Sequence, residues 1–341
     1  MALSLSVLDL APVGSGSTAS QALRNTVDLA RLAERLGYTR YWVAEHHNLP
    51  SVASSAPEVL IAYVAAATRT IRVGAGGIML PNHVPLQVAE AFHTLEALYP
   101  GRVDLGLGRA PGTDPITIRA LRPFDGEQFA PLLAELLALS RGEVPEDNPL
   151  RSVRVVPDDV ELPPIWLLGS SGASARLAGS LGLGYSFAGH FSPTPPGPAI
   201  RTYLESFRPS AQFPEPHAIL GISVVCAETD EHAEHLAWTL YLSWVRMHSG
   251  RLAPLPTPEE AKAYPYTPQE REIIHNYRKL HVIGSPSTVR ARIEALVAEA
   301  GVNEAIVSTL IHNPEERLRS YELLAKELGL SSAAAAQSPA A

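Results

Sequence analysis

Short apolar runs alternate with longer amphipathic stretches along nearly the whole chain. The runs Leu3–Leu8, Arg40–Ala44, Ile71–Ala75, Arg102–Leu107, Pro164–Leu168, Tyr185–Ala188, Ala218–Cys226 and Glu304–Leu310 read as strands. Helical spacing of apolar residues covers Thr18–Leu36, Ser55–Thr68, Pro85–Leu98, Gly126–Ser140, Gly172–Leu181, Thr229–Met247, Pro286–Ala300 and Pro314–Leu328. The first of these starts on a threonine and stops at Gly37, the expected cap chemistry. Strands alternating with helices predict a parallel sheet with right-handed crossovers. Eight such units in 341 residues predict an α/β protein of the (β/α)8 TIM-barrel type, one domain over residues 1–330.

Two places interrupt the rhythm. Residues 141–163 are charged and carry prolines, an insertion after the fourth helix. Residues 249–281, before the eighth strand, carry Pro254, Pro256, Pro258, Pro265 and Pro268 and read as a structureless, lid-like loop over the barrel mouth. The tail 331–341, SSAAAAQSPAA, has no charge pattern and little to bury, and is expected to be disordered.

Composition narrows the function. With 46% hydrophobic residues there is ample core, and wholesale disorder is excluded. Acidic residues outnumber basic ones, 35 to 27, which argues against a nucleic-acid or anionic-membrane surface. A lone cysteine, Cys226, excludes a disulfide framework and multi-cysteine metal centres. The three lysines, Lys262, Lys279 and Lys326, follow no strand-like run, so Schiff-base chemistry is not expected. The first basic side chain is Arg24 and no apolar run is long enough to span a bilayer, so a soluble, cytoplasmic protein is expected.

A barrel of this kind builds its active site from the carboxyl ends of its strands. Those positions hold Asp9, Glu45-His46-His47, Gly74-Ala75-Gly76-Gly77, Gly108-Arg109, Gly169-Ser170-Ser171, Gly189-His190 and Ser308-Thr309. Ser170, Ser171 and Ser174 open a helix directly after a strand, an anion site suited to phosphate. Simple capping would account for one serine but not three. Arg109 stands where a guanidinium can face that phosphate; a surface ion pair is the alternative. Glu45-His46-His47 leaves three readings open. One is a metal site completed by His190 or Asp9, one an acid–base histidine oriented by Glu45, and one a pair of packing and surface histidines. Gly14-x-Gly16-x-x-Ala19 matches a dinucleotide-binding pattern, but its distance to Glu45 exceeds the usual ~20 residues and the barrel count disagrees with it.

Three segments together resemble the bacterial luciferase-like flavin monooxygenases: Tyr41–His47, Ile71–Pro81 and Gly101–Arg109. The likeness continues through Ile165–Gly184 and Val282-Ile283-Gly284-Ser285-Pro286, and is closer to single-chain members than to a luciferase subunit. It implies a TIM barrel that takes reduced FMN from a separate flavin reductase and uses O2, through flavin peroxide chemistry, on a small organic substrate. It implies that Arg109, Ser170, Ser171 and Ser174 hold the phosphate, and that Glu45, Gly74, Ala75, Gly76 and Gly77 lie along the flavin ring. It further implies catalysis by His46 with Glu45, no metal, a cis Gly76–Gly77 peptide and a homodimer formed through the alanine-rich Ser55–Thr68 helix. Two positions depart from the luciferases. Gly108 replaces a cysteine, leaving more room at the flavin edge and putting light emission in doubt, and Ser170 replaces a glutamate. The alternatives are hydride transfer with the deazaflavin F420, a flavin-binding protein without turnover and, more distantly, a metal-dependent barrel hydrolase.

Overall fold

The computed structural model describes residues 3–122 and 126–331. Eight strands lie within two residues of where the hydrophobic pattern puts them: β1 (Ser4–Asp9), β2 (Arg40–Val43), β3 (Arg72–Ala75), β5 (Val103–Gly108), β6 (Ile165–Gly169), β7 (Gly184–Phe187), β8 (Ala218–Cys226) and β10 (Glu304–Ser308). Each pairs in parallel with the next, and β10 pairs with both β8 and β1, so the barrel closes. Two short strands add to its carboxyl end. Strand β4 (Ile78–Met79) pairs with the end of β5, and β9 (Val282–Gly284) pairs with the last residues of β8.

The outer helices are α1 (Ala19–Leu36), α2 (Pro57–Ala67), α3 (Pro85–Leu98), α4 (Pro115–Leu121), α5 (Phe129–Arg141), α6 (Gly172–Ser180), α7 (Pro196–Ser206), α8 (Asp230–His248), α9 (Pro258–Ala263), α10 (Pro268–Arg278), α11 (Pro286–Ala300) and α12 (Pro314–Glu327). Thr18 caps α1 through its hydroxyl, and Gly37 ends the helix at φ 88°, a conformation that glycine adopts without Cβ strain.

The reading of residues 249–281 as structureless is overturned. The segment folds into α9 and α10, each opened by the same Thr-Pro-x-Glu box: Thr257 with Glu260, and Thr267 with Glu270. Proline is tolerated there because the first helical N–H has no partner to lose. The segment is also tied to the loop after β1. The N–H of Leu255 donates to Val13 O, that of Ser15 donates to Leu255 O, and the Ser15 hydroxyl donates to Glu260. The Gly14-x-Gly16 pattern therefore serves a loop that holds the lid segment, in a closed barrel rather than an open dinucleotide-binding sheet. Residues 332–341, most of the expected tail, lie outside the described residues.

The barrel interior has two layers. At the amino end Arg40, almost wholly buried, donates to Asp104 at 3.0 Å and to Glu304 at 2.7 Å. Arg72 reaches the second oxygen of Asp104 at 2.6 Å, and His217 lies 2.8 Å from Glu304. Burial pushes the Glu304 carboxyl up, but His217 and Arg40 outweigh it and hold it at about 2. Above this network Leu8, Trp42, Trp166, Ile219 and Ile306 fill the barrel, the two indoles meeting edge to face at 5.5 Å. This plug leaves the carboxyl end as the place for a cavity.

Asp9 is placed at that end but turns outward. Its carboxylate accepts from Tyr41, Thr26, Arg317 and the Ala11 N–H, at 2.5 to 2.8 Å. It fastens α1 and α12 to the barrel and is spoken for as a metal ligand.

Candidate active site

A cavity of about 910 Å³ opens at the carboxyl ends of the strands. Its walls combine residues after β2, β3, β5, β6, β7 and β10 with α8 and the segment that follows it. Of the residues singled out in the sequence, Glu45, His46, Gly76, Arg109, Ser170, Ser171, Ser174, His190 and Ser308 all line it.

Glu45 and His46 have different partners, as alternation of faces at a strand end requires. The Glu45 side chain is 1% exposed and accepts from His83 at 2.9 Å, His47 at 2.9 Å, the Met79 N–H at 2.7 Å and Asn82 at 3.2 Å. Burial raises its pKa, but His83, Met79 and His47 together bring it down to about 2. Glu45 is thus an ionised anchor for the loop after β4. Of the two histidines that follow it, Glu45 bonds His47 and not His46. His83 went unnoticed in the sequence because it lies 38 residues from its partner and shares no local motif with it.

His46 sends Nδ1 to the Gly112 carbonyl at 3.3 Å. A carbonyl only accepts, so that contact fixes the proton on Nδ1 and leaves the lone pair on Nε2. Burial lowers the pKa of His46, so the neutral ring prevails near pH 7. Nε2 has no partner among the described residues and is not sealed from the cavity. Gly112 also receives the His47 N–H at 3.2 Å, so the segment after β5 is stitched to the Glu45-His46-His47 loop.

Arg109 is exposed at the rim and has no acidic partner among the described residues. Along the same cavity runs the start of α6, where the Ser171 hydroxyl accepts from the Ser174 N–H at 3.5 Å. The Ser174 hydroxyl is 3.5 Å from that of Tyr185, which itself donates to Gly169 O. Ser170 makes no such local bond among the described residues and lies open to the cavity.

The glycine run after β3 divides. The Gly76–Gly77 peptide is cis, and Gly76 lines the cavity. Gly74 and Gly77 face neighbouring strands, where a Cβ would strike the carbonyls of Asp104 and Gly106; with Ala75, wholly buried in the sheet, they are absent from the cavity wall. Sheet packing accounts for these two glycines without a ligand. Gly108 is also corrected. The space expected beside it is taken by Met79, whose terminal methyl a Cβ at 108 would meet.

Residues 3–304 match the model of the luciferase-like monooxygenase family. The chain belongs to that family. A luciferase-like monooxygenase of Escherichia coli (strain K12) is 42% identical over 324 residues, covering 94% of this chain and 96% of that protein. The N-acetyl-S-alkylcysteine monooxygenase of Bacillus subtilis (strain 168) is 36% identical over 326 residues, with 94% and 96% covered. Among solved structures, apo-MsnO8 superposes with a TM-score of 0.86 at 39% identity, covering 96% of this chain and 99% of that one. Two more distant structures share the fold alone. The oxygenating constituent of 3,6-diketocamphane monooxygenase from Pseudomonas putida, in complex with FMN, has a TM-score of 0.68 at 20% identity, with 96% and 98% covered. An F420-dependent secondary alcohol dehydrogenase has 0.66 at 14%, with 95% and 99% covered. The fold and the family establish this chain as a luciferase-like oxidoreductase built on a TIM barrel. Among the described residues no helix is long and apolar enough to cross a membrane.

Proposed function

We propose that the protein is a monooxygenase that takes reduced FMN from a separate reductase and uses O2 to oxidise a small organic substrate in the 910 Å³ cavity. The observation that carries this reading is the meeting, in one cavity, of an unpaired guanidinium and the serine-lined start of a helix. Arg109 would pair with a phosphate, while the α6 N–H groups and the hydroxyls of Ser170, Ser171 and Ser174 would share its remaining oxygens. Bound reduced flavin supplies the two electrons that activate oxygen. The chain's own part is to hold the phosphate, to keep bulk water from the apolar wall and to manage a proton. Nε2 of His46 carries the lone pair that can take that proton and return it. Glu45 fastens the Met79–His83 segment to the end of β2, the strand that His46 follows.

The test is an absorbance titration of the purified protein with FMN, reduced FMN and F420, followed by turnover with a flavin reductase and NADH. Tighter binding of reduced FMN, with O2 consumed, is the expected result. Perturbation by F420 alone would replace monooxygenation with hydride transfer. Flavin binding without O2 consumption across a substrate panel would favour a carrier. A homodimer formed through α2 belongs to the same proposal.

A further inference from the structure

The cavity has a second, chemically different wall, away from Arg109 and the α6 serines. It is built by Phe191, Leu240, Trp244, Met247, Leu252 and Tyr277, from the loop after β7, from α8 and from the lid segment. Trp244 and Tyr277 lie one over the other, 4.0 Å between centroids and 16° between planes, giving a stacked two-ring aromatic panel. In this wall stands His190, packed edge to face on Phe191 at 4.7 Å.

His190 is unlike the other cavity histidine. Its Nδ1 is sealed against Gly221 and has no hydrogen-bond partner. Its Nε2 also lacks a partner among the described residues, yet it is not sealed and the ring lines the cavity. Protonating the ring would bury an unpartnered N–H in a dry wall, so the imidazole stays neutral. Arg246, whose guanidinium donates to the Pro254 carbonyl at 3.2 Å, also lines the cavity and keeps its charge, so a charged probe is the one that reports on it. An apolar panel beside an open, uncharged hydrogen-bonding group is a specificity site of a recognisable kind: it favours a largely apolar molecule and orients it by a polar atom.

We propose that His190 is the substrate-orienting residue of this cavity, donating from Nε2 to an acceptor atom on a neutral, largely apolar substrate that lies on the Trp244–Tyr277 panel. This deepens the monooxygenase reading and rests on it in giving the Arg109 side to the flavin. His46, on the β2 side, then keeps the proton and His190 keeps the substrate.

The test uses 2-octanone as a neutral acceptor probe and octanoate as its charged counterpart, by calorimetry on the full-length protein with and without FMN. The expected result is binding of 2-octanone at least tenfold tighter than octanoate. His190→Phe, which keeps a planar ring, should weaken 2-octanone about tenfold, and His190→Gln, which keeps a donor, should recover most of the loss. FMN affinity of both variants should be unchanged. Equal binding of octanoate would overturn the neutral-substrate assignment, and an unaltered affinity in both variants would overturn the role of His190. If His190→Phe fails to fold, His190→Leu, which also lacks a donor, takes its place with the same tenfold loss expected, and unaltered affinity there would overturn the role. FMN binding without 2-octanone binding would sink this inference alone. The reverse would sink the flavin reading alone.

Discussion

Glu45 and His83 face each other at 2.9 Å beneath the rim of the cavity, an ion pair joining the end of β2 to the start of α3. The pair has a pH window. Glu45 is held at about 2, below its ordinary 4.5, so its contribution is present above about 4.5 and lost as pH falls toward 2. Burial pulls His83 down, but Glu45 outweighs it and its pKa rises above 6.5; its contribution is full below 6.5 and lost as pH climbs through the raised value. Stabilisation is therefore greatest between about 4.5 and 6.5. We predict that His83→Ala costs about 1.5–3 kcal/mol at pH 6 and distinctly less at pH 8.5. Urea unfolding at the two values checks this, and an equal cost at both would show that the imidazole acts only by packing.

Arg109 is predicted to act on phosphate and on nothing else. Charge-assisted bonds contribute about 1.5–3 kcal/mol, so Arg109→Ala should weaken FMN about tenfold or more while leaving riboflavin unchanged. Fluorescence titration with both flavins separates the cases. A parallel loss for riboflavin would move Arg109 from the phosphate to the ring.

His46 is predicted to be the proton-handling residue. His46→Ala should lower turnover by about 10²–10⁴-fold with little change in FMN affinity, because the side chain meets the Gly112 carbonyl and the cavity but does not hold Glu45. His47→Ala should behave differently. Its imidazole is a partner of Glu45, so the expected loss is in thermal stability rather than in turnover at low temperature. Steady-state oxygen uptake and thermal melts on both variants read this out, and native turnover in His46→Ala would remove the assignment.

Helix α2 is apolar on all sides: Leu60, Ile61, Val64 and Ala65 pack inward while Val59, Tyr63 and Ala66 face outward. Val59 is 68% exposed and Tyr63 52%. A helix of this kind is usually covered. The expected outcome is a dimer by light scattering, which Val59→Glu together with Tyr63→Glu converts to a monomer. A wild-type monomer across a concentration series would leave this face without a partner.

What the sequence disclosed, and what it hid, follow from how each feature is encoded. The barrel strands were legible because each is a run of side chains buried on both faces, bounded by glycine, proline or charge. The two lid helices were hidden behind prolines read as breakers; the Thr-Pro-x-Glu boxes at Thr257 and Thr267 were the signal that would have revealed them. Helix α7 begins Pro196-Gly-Pro198, which masks its periodicity in the same way. In the site, Arg109 and the α6 serines were readable because each directly follows a strand. His83 was not, since only the third dimension brings it to Glu45. The outward turn of Asp9 depends on partners as far away as Arg317, 308 residues on, and the filling of the Gly108 space on the Met79 side chain of a neighbouring strand, neither of which leaves a local trace.

The ion network at the amino end of the barrel ties the first residue of β2 to the first residue of β10, 264 positions later. An arginine held inside a protein without its counter-charges is costly. A growing chain that has not yet produced Glu304 has Asp104 alone to offer Arg40, while His217 and Ser6 still await the same carboxylate. Closure is thus decided by the last strand to be synthesised, and no amino-terminal fragment contains a finished version of the barrel floor.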